Sequence, residues 1–245
     1  MAPRTVLITG SNKGIGFGIT KSLLQHEEVE TVIAACRRPD EAEDLHSIKS
    51  SKLHIVQLDV TNDSSIQKAV EEVDKIVGER GLNMLINNAG VLLNYGTTGP
   101  ISRETLTTQF DVNITSVIIV TQYFLPLIRR APTDRRIINI SSLAGSITKN
   151  TSGSGPTNRQ LAYFVSKSGL NQFTKCLSID LAEDNILTAG FCPGWVQTDL
   201  GGIKHLKAAA MTLDQSMADL VPSILNVSEK HNGGYFDRKL EVIDY

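Results

Sequence analysis

Thr9-Gly10-Ser11-Asn12-Lys13-Gly14-Ile15-Gly16 decides the fold of this chain. It ends the apolar, β-branched run Val6–Thr9 and opens into Ile15–Gln25, where apolar residues recur at helical spacing. Three glycines at a strand-to-helix junction allow a tight turn, close backbone approach to a pyrophosphate, and tight packing of the helix on the sheet. An anion placed there meets the free N–H groups and positive dipole end of the helix. The turn therefore predicts a dinucleotide site whose backbone comes from Gly10, Asn12, Lys13, Gly14, Ile15 and Gly16.

Outward from this turn, short apolar runs alternate with longer periodic segments, as in repeated βαβ units. Val6–Thr9, Thr31–Ala35, His54–Leu58, Met84–Asn87, Ile137–Ser141 and Leu187–Phe191 read as buried strands, and Tyr235-Phe236 ends a seventh. Ile15–Gln25, Ser64–Val77, Thr105–Arg129, Leu161–Ala182 and Leu213–Val227 read as helices, the second capped by Asn62 or Asp63. The expectation is an α/β fold: a Rossmann-like, doubly wound, mostly parallel seven-stranded sheet with helices on both faces. No repeat or long linker divides the chain, so residues 1–245 read as one domain, with a substrate loop at about 193–211. Lys149–Gln160, rich in Gly and Ser, reads as a surface loop.

Composition narrows the function classes. The formal net charge is −2 and the pI near 6.2, against the basic balance of a general nucleic-acid binder. Uninterrupted apolar stretches such as Val117–Val120 fall far short of a membrane span, and the N-terminus shows no secretory cleavage pattern. Cys36, Cys176 and Cys192 form no C-x-x-C pair and stand at no metal-ligand spacing, so no metal is expected and a reduced, cytoplasmic setting is.

Further motifs follow in order: Asn87-Asn88-Ala89-Gly90 after the fourth strand, Asn113 in the long helix, Asn139-Ile140-Ser141-Ser142 ending the fifth strand, Tyr163-Phe164-Val165-Ser166-Lys167, and Pro193-Gly194 followed by Thr198. With the TGxxxGIG turn, these make the chain resemble the short-chain dehydrogenase/reductase family, classical type, across residues 9 to 198. Pro193–Gly202 and Asn232–Phe236 extend the resemblance to a narrower group, the sniffer-type carbonyl reductases. Tyr163 and Lys167, four residues apart, project from one helix face. A nearby ammonium would lower the phenol's pKa from about 10.

The resemblance implies NADPH-dependent reduction of reactive aldehydes, ketones or quinones, with Tyr163 protonating the carbonyl oxygen and Ser142 hydrogen-bonding it. It implies that Lys167 binds the nicotinamide ribose and that Asn113 holds a water relay to Lys167. The alternatives are another family member acting on a hydroxysteroid, ketoacyl or alcohol substrate, and a non-catalytic NADPH-sensing module. Family habit further implies a homo-oligomer, most simply a dimer. Ser142 and Tyr163 stand 21 positions apart where compact members have about 13, so an insertion borders the substrate entrance and bears on that pairing.

Cofactor choice follows from charge. An acid about 20 residues past the glycines would bind a ribose 2′-OH, whereas Arg suits a 2′-phosphate. Arg37 stands 21 positions beyond Gly16, with Arg38 beside it and no acid before Asp40. NADP(H) is therefore expected, held by Arg37 and Lys13, with Arg38 a third candidate for the phosphate. The family's pattern adds Asp59 and Val60 for adenine, and Asn88, Ala89, Gly90, Tyr163, Lys167, Pro193, Gly194, Val196 and Thr198 along the rest of the cofactor.

Overall fold

The structure, a computed structural model, describes residues 3–154, 159–198, 200 and 211–245. Seven strands, β1 (Thr5–Thr9), β2 (Thr31–Cys36), β3 (Leu53–Gln57), β4 (Met84–Asn87), β5 (Arg135–Ile140), β6 (Ile186–Cys192) and β7 (Gly234–Asp237), form one parallel sheet ordered β3-β2-β1-β4-β5-β6-β7. Alternate residues of a strand face opposite sides, so a sheet covered on both faces needs apolar side chains at nearly every position. Val6 and Ile8 enter one core with Ile86, Ile138 and the helices α1 (Gly14–Leu23) and α7 (Leu213–Leu225). Leu7, Leu85 and Ile137 enter the other, against α3 (Asp63–Val77) and α5 (Ser116–Arg130). Full burial contributes about 1.5–3 kcal/mol for each large side chain, which favours this two-sided packing.

The helices begin where side chains satisfy their free N–H groups. Asn62 caps α3, Ser102 caps α4 (Arg103–Phe110), and Thr212 with Gln215 forms a capping box on α7. The short helix α2 (Glu43–Ser47) buries only Leu45. A π-helical turn, Asp111–Thr115, joins α4 to α5 and carries Asn113. The resulting run Arg103–Arg130 is long and apolar enough to cross a membrane by length and composition. In the fold it lies on the sheet, with Val117, Val120, Phe124, Leu127 and Ile128 buried.

Chain order reverses direction between β1 and β4, and such a switch point leaves a crevice at the carboxyl ends of the strands. A buried polar chain ties this region to α6 (Leu161–Asp180). Asn87 Nδ2 donates to Thr121 Oγ1 at 3.0 Å and to Asn139 Oδ1 at 2.9 Å, and Asn139 Nδ2 donates to Thr174 Oγ1 at 2.8 Å. These bonds link β4 and β5 to the helices on one face and set the height of α6 over the strand ends.

Candidate active site

The glycine turn is held from beneath by the loop after β4. Asn88 Nδ2 donates to the carbonyls of Thr9 (2.8 Å) and Gly10 (3.1 Å), while the Asn88 and Ala89 N–H groups both donate to Thr9 Oγ1 at 3.0 Å. Gly10 has φ +66, and a Cβ there would lie 2.9 Å from Ala89 Cα. At Gly16 a Cβ would lie 2.3 Å from the Gly10 carbonyl oxygen and 2.5 Å from Asn88 Nδ2. Helix and turn can approach this closely only without that atom.

No side chain caps α1 at Lys13, and no acid stands in its first turn. Its N–H groups and dipole are thus left for an anion, unlike the capped α3, α4 and α7. Lys13 and Arg37 are exposed above this end, and no acid pairs with either among the described residues. Arg38 differs: its guanidinium is engaged by Glu41 at 2.9 Å. Asp59 and Val60 are half-buried past β3, where Asp59 Oδ1 accepts from Thr61 N and Oγ1 at 3.1 and 2.8 Å. Thr198 lies opposite Gly14, within 3.7 Å of where a Cβ would sit, so the loop after β6 folds back over the turn. Pro193 and Val196 are buried in this loop and Gly194 is half-buried with φ +87. Of the proposed loop at 193–211, residues 199 and 201–210 lie outside the described residues, as do 155–158 of the insertion.

Ser142 follows β5, caps a tight turn through Leu143–Gly145, and accepts the Ala144 N–H at 3.2 Å. Its Oγ is thereby used as an acceptor, which leaves the hydroxyl proton to donate. That hydrogen bond acts on Tyr163, whose phenol burial pushes up to about 12 while Ser142 pulls it back down and the nearby Cys192 adds a smaller raising effect. Lys167 stands one turn further on, its Nζ 5.7 Å from the Tyr163 ring centroid and 2.8 Å from the Ile140 carbonyl it donates to. Burial lowers its ammonium to about 8. The lowering of Tyr163 expected from Lys167 is not found: Ser142 is what lowers the phenol, and withdrawal from water dominates both groups.

Asn113 is buried, but its side chain serves the backbone. Its Oδ1 accepts from Val91 N (2.9 Å), and its Nδ2 donates to Val91 O (2.9 Å) and Ser166 Oγ (3.0 Å). Gly90 lies between Asn113 and Lys167, its place for a Cβ 3.3 Å from Asn113 Oδ1 and 3.9 Å from Lys167 Nζ. The structure thus brings Ser142, Tyr163, Lys167, Asn113 and Gly90 together beside the glycine turn.

Several supporting residues escaped the sequence reading. Thr9 was part of the quoted turn, yet its use as a double acceptor depends on the later Asn88-Ala89. Gln109 accepts from Leu93 N at 2.8 Å and donates to Val91 O at 2.7 Å, bracing the same loop. Cys192 Sγ accepts from Leu143 N at 3.1 Å, and burial raises its thiol pKa, so it serves as a partner for the Ser142 loop. Only proximity in three dimensions reveals these pairings.

A glycine turn at the switch point of a parallel sheet, beside a half-buried Ser and a buried Tyr and Lys, defines a dinucleotide-binding oxidoreductase. The family model for short chain dehydrogenase matches residues 4–207, and the chain belongs to that family. A solved structure of the Sniffer protein of Caenorhabditis elegans is 39% identical, with TM-score 0.90 and 100% of each chain covered. The NADPH-bound carbonyl reductase from chicken fatty liver is 33% identical, with TM-score 0.93, covering 100% of this chain and 95% of that one. Human retinol dehydrogenase 5 is 35% identical over 231 residues, 94% of this chain, and the chain spans 66% of that relative's length.

Proposed function

We propose that this protein is a cytoplasmic, NADPH-dependent carbonyl reductase acting on reactive aldehydes, ketones or quinones, working as a homodimer without nucleic-acid or membrane partners. The observation that carries the reading is the half-buried Ser142 with the buried Tyr163 and Lys167 beside an uncapped glycine turn. Tyr163, raised to about 12, keeps its proton at neutral pH, the form reduction needs. The likeness to an NADPH-bound carbonyl reductase supports the same reading.

The residues present fit the cofactor, because the Gly10–Gly16 cradle excludes a Cβ at Gly16 and α1 presents bare N–H groups. That turn would hold the pyrophosphate, Arg37 and Lys13 the 2′-phosphate, and Asp59 with Val60 the adenine. Asn88, Ala89, Gly90, Pro193, Gly194, Val196 and Thr198 would line the remainder, with Lys167 on the nicotinamide ribose. Bound NADPH supplies the reducing equivalent to the carbonyl carbon. Ser142 donates its hydroxyl to the carbonyl oxygen and orients it, and Tyr163 delivers its proton to that oxygen as general acid. The Lys167 ammonium stabilises the phenolate left behind.

NADPH consumption against a panel of aromatic aldehydes, ketones and quinones, repeated with NADH, tests the proposal. Turnover with NADPH and carbonyls is expected. A second reading, oxidation of an alcohol, is favoured by the likeness to retinol dehydrogenase 5. Turnover confined to alcohols would establish it in place of the first.

A further inference from the structure

Tyr235 is a tyrosine in a place that asks for an aliphatic residue. It lies on β7, pairs in register with Gly190 of β6, and is 1% exposed. Gly190 lies against its ring: a Cβ there would stand 3.4 Å from Tyr235 Cδ2, in ordinary contact. Cys192 and Ile243 pack with Tyr235, and the Tyr245 ring lies 5.9 Å away. A hydroxyl this deep must find a partner. It donates to the carbonyl of Ser142, 93 residues earlier in the chain.

We propose that Tyr235 is a positioning residue for Ser142, its hydroxyl fixing the Ser142 carbonyl so that the Ser142 hydroxyl meets Tyr163. The inference rests on the carbonyl-reductase reading of that pair. The Ser142 carbonyl also accepts from Gly145 N at 2.7 Å inside its own turn, and three more contacts hold that turn. Ser141 Oγ donates to Asn171 Oδ1 at 2.6 Å, the Gly145 carbonyl accepts from Asn171 Nδ2 at 3.1 Å, and Leu143 N donates to Cys192 Sγ. Those bonds hold the residues flanking Ser142. The Tyr235 bond reaches the Ser142 carbonyl from β7, outside the turn, and the same hydroxyl meets the Asn171 and Ser141 side chains, so it sets where the turn sits against the end of the sheet.

Loss of the Tyr235 hydroxyl leaves the Ser142 carbonyl held from within its own turn by Gly145 and unties that turn from β7. The Ser142 contact that lowers Tyr163 weakens, and the phenol rises further. The titratable groups facing Tyr163 are Lys167 on its own helix, Cys192 from β6 and Tyr235 from β7, with Asp237 of β7 acting on Cys192. Burial raises both Tyr235 and Cys192, so both stay neutral through the working range.

The test is a double-mutant cycle on the full chain with NADPH and para-nitrobenzaldehyde: Tyr235→Phe, Ser142→Ala, both together, and Tyr163→Phe as reference. Tyr235→Phe keeps the ring, and thermal unfolding checks that the fold is retained. The expected result is a roughly tenfold loss in kcat with KM for NADPH within about twofold, the size of loss a sub-ångström misplacement causes. Tyr235→Phe adds nothing in the Ser142→Ala background. Wild-type kcat in Tyr235→Phe, or losses that multiply in the double variant, overturn the inference while a dead Tyr163→Phe leaves the functional reading standing. Turnover retained by Tyr163→Phe overturns that reading and the inference with it.

Discussion

Lys167 reaches from α6 to donate its ammonium to the carbonyl of Ile140, the last residue of β5, at 2.8 Å. Helix and strand end are thereby tied at the point where Ser142 leaves the sheet. Burial holds the ammonium at about 8, against 10.5 in water.

Between pH 8 and 10.5 the unfolded chain keeps the Lys167 proton and the folded chain has lost it, so this group makes stability rise with pH across the window. Tyr163 works the other way above pH 10, because the folded chain keeps its proton to about 12 after the unfolded chain has lost it. Urea unfolding should show wild type gaining on Lys167→Met by about 3 kcal/mol as pH rises through the first window. A difference between the two that ignores pH would refute the assignment.

Arg37 and Arg38 are neighbours in sequence with different duties. Arg38 is held by Glu41, while Arg37 stands free of any described acid at the end of β2. Arg37→Ala should lower kcat/KM for NADPH by about 10- to 100-fold, the worth of a charged hydrogen bond, with NADH little changed. Arg38→Ala should leave the NADPH preference intact; equal effects of the two substitutions would sink the distinction.

Two glycines of the turn should answer differently to alanine. Gly16→Ala drives a methyl group against the Gly10 carbonyl and Asn88, so folding yield and NADPH binding should both collapse. Gly14→Ala meets only Thr198 at 3.7 Å, and its φ of +57 costs about 1–2 kcal/mol. Thermal melts with and without NADPH separate the two cases, and equal damage would contradict the geometry.

Thr9→Val keeps shape and removes the acceptor for the Asn88 and Ala89 N–H groups. Stability should fall by about 1–3 kcal/mol per buried N–H left unpaired. Denaturant titration reads this directly, and a change within experimental scatter would show that the loop finds other partners.

Much of the fold was legible because a sheet buried on both faces writes itself as unbroken apolar runs. Met84–Asn87 matches β4 to the residue, and the other strands differ by a residue or two at their ends. The helix α2 was invisible, since Glu43–Ser47 buries one leucine and shows no period. The expected helix Thr105–Arg129 hid a π turn, because one extra residue in a turn leaves the apolar spacing on either side intact. At the site, residue types and order pointed to Ser142, Tyr163 and Lys167. The direction of the Tyr163 shift was not legible, for it depends on how completely water is excluded. Nor was Asn113's grip on Val91, which needs the path of the loop after β4.

The reach of Tyr235 back to Ser142 also orders events in time. Turn, α1 and the Asn88 loop all lie within the first ninety residues, so the nucleotide cradle can take shape early during synthesis. Ser142 acquires its Tyr235 partner only when β7 docks beside β6, a contact of long sequence separation and slow closure. The Ser142 end of the site is thus among the last parts of the molecule to be set in place.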